Sequence, residues 1–190
     1  HFWLQAKYET IERLNERLGL RHWGQVVNNW DEVPMPLRAP TMHNPALALD
    51  WRRFCSDTMV QYIKMQVDLL HELTPERPVT TNLKPLIHRF DHFDLAEVLD
   101  FISAESAAVI RAKSAEAACE IDMLRSLKKT GVRTPDGKTG FWVIEHKAGN
   151  VSWQDVNSLV RPGIIRMFTY QLISRGADAI LFFRWRQPRI

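Results

Sequence analysis

From Pro78 onward the sequence alternates short apolar or β-branched runs with longer helix-patterned stretches, and this alternation constrains the fold more than any other feature. Four runs read as strands: 78–82 (PVTTN), 99–103 (LDFIS), 141–144 (FWVI, closing on Glu145) and 177–185 (ADAILFFRW). Each has strand length and is bounded by polar or turn residues. Between them lie a helical turn at 93–98 and an Ala/Glu/Leu/Lys-rich helix at 112–129. A third helical stretch, 154–175, is interrupted near Arg161-Pro162-Gly163 and stopped by Gly176. Strands separated by helical crossovers specify a parallel α/β sheet, expected to be covered on both faces. Four such units make half of an eight-stranded barrel, whose full form takes about 250 residues. Half a barrel leaves two open sheet edges, so the chain by itself is expected to fold poorly or to associate.

The first 77 residues follow a different pattern. Trp3, Leu4, Tyr8, Ile11, Leu14 and Leu18 recur at helical spacing, which predicts one amphipathic helix over 3–19 with Gly19 as its C-cap. Periodicity lapses over 21–40, where Trp23 and Trp30 sit among three prolines; a loop bordering a cleft and a loop packed on the core both fit. Asn44-Pro45 opens the next element, a long helix over 50–73 ended by Pro75 and Pro78. Thr134-Pro135-Asp136-Gly137 is a turn, because proline presets φ at the second position and glycine suits the fourth.

Composition narrows the function classes. The chain has 190 residues, 45% hydrophobic and 25% charged, enough for one domain and one core. Its 25 basic and 22 acidic residues leave a charge of only +3 with no Lys/Arg block, so nucleic acid is not an expected partner. No apolar run approaches the roughly 20 residues of a membrane span, so a membrane is not expected either. Cys55 and Cys119 form neither a disulfide framework nor a zinc spacing, and both are expected to be buried thiols. The chain opens on His1 rather than Met and stops just after a strand-like run, so a piece of a longer polypeptide is expected.

Glu145 is the leading chemical candidate. A carboxylate delivered by a buried strand to its C-terminal end stands where parallel-sheet enzymes place catalytic groups, although a helix N-cap or a salt-bridged rim residue has the same local pattern. Glu105, just beyond the second strand, is its rival, with a solvated rim position as the plainer role. Asn82, at the end of the first strand, suits a turn cap or a ligand contact.

Eight stretches carry a family resemblance: FWLQAKYETIERLNERLG (2–19), HWGQVVNNWDEVPMP (22–36), NPALALDWRRFCSD (44–57), RPVTTN (77–82), DLAEVLDFIS (94–103), VIEHKAGNVSW (143–153), RPGIIR (161–166) and GADAILFFRWRQ (176–187). In order and spacing they resemble the glycoside hydrolase family 42 β-galactosidases over nearly the whole chain. The resemblance implies a (β/α)8 TIM barrel, of which 1–190 would be roughly the second half. It also implies hydrolysis of terminal β-galactosides with retention, a β-galactoside or oligosaccharide substrate, and a homotrimer in the full-length parent. Glu145 then matches the nucleophile, Trp153 and Phe183 match galactose-subsite aromatics, and Trp23 matches, more loosely, a loop tryptophan reaching a neighbouring subunit's site. His146, Lys147 or Arg184 would supply the positive potential that keeps Glu145 ionised. No cofactor is expected; zinc belongs to some members through a cysteine cluster that has no ligands in this segment. The expected compartment is the cytoplasm.

Three features set the chain apart from the family pattern. The acid/base glutamate follows an asparagine on the fourth strand, upstream of this segment; Asn15-Glu16 lies in the amphipathic helix and is a different feature. A Trp-Asp-Ser-Tyr-Pro type segment is replaced by Ala104-Glu105-Ser106-Ala107-Ala108, which removes a tyrosine hydroxyl worth about 1.5–3 kcal/mol if it bonds a charge. A galactose-binding glutamate and histidine would follow Ile190. A related α-L-arabinosidase, or a non-catalytic carbohydrate-binding or assembly protein on the same scaffold, are the competing expectations.

Overall fold

The computed structural model describes residues 1–84, 86–87, 89–106, 114–127, 140–148 and 160–184. The chain divides into two compact units, His1–Met59 and Val60–Ile190.

In the first unit the expected single helix is two, α1 (Phe2–Tyr8) and α2 (Ile11–Arg17). The break has a local cause: Glu9 takes a φ of 65°, and Thr10, in extended geometry, turns its hydroxyl to accept from the Arg13 amide as the N-cap of α2. Asn15, on α2, clamps the following loop, its amide donating to the Val27 carbonyl at 2.7 Å and its Oδ1 accepting from the Val27 amide at 3.0 Å. Leu14, Leu18, Leu20, Val27, Val33 and Leu47 form this unit's core. The helix α3 spans Pro45–Leu73 and begins five residues earlier than its apolar pattern implied. Asn44 explains the start, because its Oδ1 accepts from the Ala46 and Leu47 amides at 3.0 and 3.1 Å.

The second unit is a four-stranded parallel sheet in the order β1-β2-β3-β4, with β1 Asn82–Leu83, β2 Ile102–Ser106, β3 Phe141–Lys147 and β4 Ala177–Phe183. Helices α4 (His92–Val98), α5 (Ser114–Ser126) and α6 (Ile164–Ser174) occupy the three crossovers. Each pair of neighbours is parallel, as the strand and helix alternation requires.

Ladder positions differ from expectation for identifiable reasons. The Val79 amide is taken by the Asp100 carboxylate at 2.6 Å, and the Thr80 hydroxyl donates to the Phe101 carbonyl at 2.7 Å. The Asp100 amide still donates to the Val79 carbonyl at 3.0 Å, but with the Val79 amide and the Phe101 carbonyl engaged by side chains the regular ladder does not extend there: only Asn82 and Leu83 count as strand and β2 begins at Ile102 rather than at residue 99. Cys119 is exposed and Cys55 half-buried, which corrects the expectation of buried thiols; each sits on a helix whose apolar face points elsewhere.

One apolar cluster holds this unit together. It joins Ile102 and Ala104 of β2 and Phe141 and Val143 of β3 to Val67 of α3, Leu95 and Ala96 of α4, Ile121 and Leu124 of α5, and Leu172 of α6. By strand parity those sheet residues share one face, so the described helices pack on a single side, contrary to the expectation of helices on both. The other face carries Phe101, Ser103 and Trp142, with the Phe101 and Trp142 rings edge to face at 4.8 Å.

Candidate active site

Because the strands are parallel, their C-terminal ends lie at one edge of the sheet. That edge gathers Lys84 just after β1, Glu105 of β2, Glu145 and Lys147 of β3, and Phe183 of β4. In the ladders Glu105 stands level with Glu145, and Lys147 with Phe183.

The strand does not stop at Glu145, as its apolar run suggested, but continues through Lys147. Both neighbours go on pairing with it, Ser106 and Phe182 with His146 and Phe183 with Lys147, so the backbone of these polar residues is satisfied. Between Val143 and His146, β3 carries one residue more than either neighbour. This is a β-bulge, a device that re-aims a side chain. Strict alternation would send Glu145 to the helix-packed face with Phe141 and Val143. The extra residue instead places His146 there, as the burial sequence shows: Phe141, Val143 and His146 are buried, while Trp142, Ile144, Glu145 and Lys147 are half-buried.

His146 is completely buried. Its Nε2 lies 3.1 Å from Thr169 Oγ1 on α6, and that hydroxyl donates its own proton to the Ile165 carbonyl at 2.8 Å. The hydroxyl must therefore accept from His146, which assigns the imidazole as the Nε2–H tautomer. Its Nδ1 is buried without a partner among the described residues. Burial holds the imidazole below its usual pKa, opposed in part by the Ile165 carbonyl. His146 is thus a neutral anchor on the helix side, not the cation expected beside Glu145. Burial also lowers the Lys147 ammonium, and the Arg184 guanidinium stacks on the Phe183 ring at 5.3 Å. Among the described residues no side chain forms an ion pair with Glu145.

Glu105 has a different setting. Its carboxylate meets the Lys84 ammonium at 2.7 Å and is 16% exposed, so it is an ion-paired, largely buried group rather than a solvated rim residue. With Glu120 of α5 it borders a small void lined by Ala117, Val143, Phe168 and Leu172. Burial and then the Glu105 charge raise the Glu120 carboxyl, with Lys84 opposing. Glu105 is thus tied to Lys84, whereas Glu145 has no ion-pair partner among the described residues.

Phe183 stands at the end of β4, 44% exposed, and its carbonyl accepts from the Ala148 amide just past β3 at 3.3 Å. This ties the Phe183 backbone to the chain three residues beyond Glu145. Trp23 belongs to the first unit and is 84% exposed, its ring 4.6 Å from that of His22, so its loop presents the ring outward instead of burying it. Trp153 lies outside the described residues, as do Ala107 and Ala108. Asn82 starts β1 with Ser103 as its ladder partner. Among the described residues no three His, Cys, Asp or Glu side chains cluster as metal ligands, and no helix is long and apolar enough to cross a membrane. Sequence reasoning missed the bulge, the Lys84–Glu105 pair and the anchoring role of His146. The available signal was parity, since two polar residues in succession after Phe141-Trp142-Val143-Ile144 cannot both face a core.

A parallel β/α sheet with a carboxylate re-aimed at the C-terminal end of a strand defines an α/β protein of the kind that works at its strand ends. Comparison with known proteins makes this specific. The family model described as beta-galactosidase, glycoside hydrolase family 42, matches residues 1–190. The β-galactosidase bgaB of Geobacillus kaustophilus is 37% identical over 188 residues, covering 98% of this chain and 27% of that protein. The β-galactosidase BgaA of a Thermus species is 32% identical over 197 residues, covering 97% of this chain and 30% of that protein. Among solved structures, the β-galactosidase of Bacillus circulans sp. alkalophilus superposes with a TM-score of 0.86 at 31% identity, covering 100% of this chain and 28% of that one. That of the psychrophilic Marinomonas ef1 gives 0.82 at 29% identity, covering 100% and 30%. The chain belongs to glycoside hydrolase family 42, the β-galactosidases. It spans under a third of the length of these relatives.

Proposed function

We propose that this chain is the second half of a (β/α)8 barrel in a longer polypeptide that hydrolyses terminal β-D-galactosides with retention, and that Glu145 is its nucleophile. The observation that carries the reading is the bulge in β3, which turns Glu145 away from the helix layer at the C-terminal edge of the sheet while Glu105 is held by Lys84. The one-sided packing of the helices supports a barrel wall, whose other face would line the interior.

In the proposed reaction a Glu145 carboxylate oxygen attacks the anomeric carbon. The bond from that carbon to the leaving oxygen breaks, and the leaving oxygen takes a proton from the acid/base glutamate of the upstream half, about 5–5.5 Å from Glu145. Water then attacks the galactosyl ester, giving its proton back to that glutamate and releasing Glu145. Phe183 and Trp153 offer apolar faces to the sugar's C–H surface. Trp23, exposed on its loop, serves a neighbouring subunit of a homotrimer. Zinc, where the parent holds it, is bound outside this segment, and the cytoplasm is the proposed compartment.

The test is a 2-deoxy-2-fluoro-galactoside with a good leaving group, applied to the full polypeptide and followed by peptide mapping. A galactosyl adduct on Glu145 is expected, and an adduct on Glu105, or none, refutes the assignment. A second reading, a carbohydrate-binding protein without turnover, is favoured by Ala104-Glu105-Ser106, where the aromatic segment is missing and the carboxylate is neutralised by Lys84. Galactoside binding without hydrolysis, unchanged in Glu145→Gln, would select it.

A further inference from the structure

We propose that His146 is a positioning residue: by donating from Nε2 to Thr169 on α6 it closes the β3 bulge and so determines the face to which Glu145 points. This rests on the reading of Glu145 as nucleophile. Upstream of the bulge β3 is held to the helix layer by Phe141 and Val143, through apolar contact. Such contact is tolerant of sliding, because dispersion and burial carry no direction. Downstream, the only residue of β3 on that face is His146, and its bond to Thr169 is directional. The Thr169 hydroxyl is itself fixed by its donation to the Ile165 carbonyl within α6, so the acceptor cannot rotate away. The Phe182 ring of β4, 5.2 Å from the imidazole, closes the side toward the neighbouring strand.

Without that anchor two registers compete. In the bulged one Glu145 faces away from the helices. In the regular one Glu145 would join Phe141 and Val143 on the helix face, where burial and the Glu105 and Glu120 carboxyls already beside Val143 penalise a further negative charge. A polar residue that is content when buried and neutral, and that can donate one hydrogen bond, is what the bulged register requires at position 146. Histidine in its Nε2–H form meets the requirement, and so does a glutamine amide.

The full polypeptide carrying this chain tests the proposal with His146→Ala, His146→Gln and Thr169→Val. His146→Ala is expected to lower kcat by about 10- to 100-fold with KM within about threefold, the signature of a displaced reacting group and not of lost substrate binding. Thr169→Val, nearly isosteric, should lower kcat in the same direction, and the double variant should be no worse than His146→Ala alone, since both remove one bond. His146→Gln should recover most of the rate. The 2-fluoro probe should label Glu145 in every variant, more slowly where kcat has fallen. Wild-type kcat in folded His146→Ala or Thr169→Val, or a loss confined to KM, overturns the proposal. Should His146→Ala fail to fold, Thr169→Val decides alone, an unchanged rate being the overturning result. Labelling of another residue in the unaltered enzyme removes the nucleophile reading and this one with it. Labelling of Glu145 at unaltered rates in the variants removes this one only.

Discussion

At the residue scale, two buried titratable groups pull stability in opposite directions with pH. His146 is held below its usual value of about 6.5 by burial, so at lower pH the unfolded chain binds a proton that the native state refuses. Its contribution is therefore complete above that value and declines as pH falls beneath it. Denaturation midpoints measured from pH 7.5 to 5 should fall more steeply for the parent protein than for His146→Gln, and parallel slopes would contradict the assignment. Glu120 is raised by burial and by Glu105, so the native state there binds the proton more tightly than the unfolded chain and loses stability as pH rises through the carboxyl range. Glu120→Gln is accordingly expected to be neutral or stabilising at pH 7, with the gain vanishing near pH 4; a clear loss of midpoint at pH 7 would count against it.

At the element scale, caps and side-chain clamps set boundaries that apolar spacing leaves open. Asn44 both caps α3 and donates to the Leu18 carbonyl at 2.8 Å. Asn44→Ala should cost about 1–2 kcal/mol by denaturant titration, with Asn44→Asp recovering the capping part. Gly176, between α6 and β4, has a φ of 98°, a conformation that an L side chain enters only with strain. Gly176→Ala is expected to cost about 1–2 kcal/mol, and an unchanged unfolding midpoint would show that the turn relaxes.

At the scale of the whole molecule, the sheet ends on β4, whose second edge is unpaired among the described residues. Leu181, Phe182 and Phe183 there are 46%, 48% and 44% exposed. A parallel sheet is ordinarily covered, and an apolar edge of this kind templates association. The isolated 190-residue chain is therefore expected to elute above its 22.1 kDa mass in size-exclusion chromatography with light scattering. A stable monomer at tens of micromolar would argue that the edge is already protected.

The linear sequence by itself determined the parallel α/β class, the number and order of the strands after Pro78, and the nomination of Glu145, because periodicity and apolar runs are local properties of the chain. The family also lay within it, since the eight matched stretches depend only on residue identity and order. What the tertiary structure alone decided was direction. Whether residue 145 or 146 faces the helices depends on a bulge created by the two neighbouring strands, and no local pattern encodes a neighbour's register. The same holds for Glu105, whose partner Lys84 comes from another strand end, and for Thr169, which meets His146 only because α6 packs across β3. Contacts between residues distant in sequence separated the two carboxylates, one ion-paired beside the helix layer and one turned away from it.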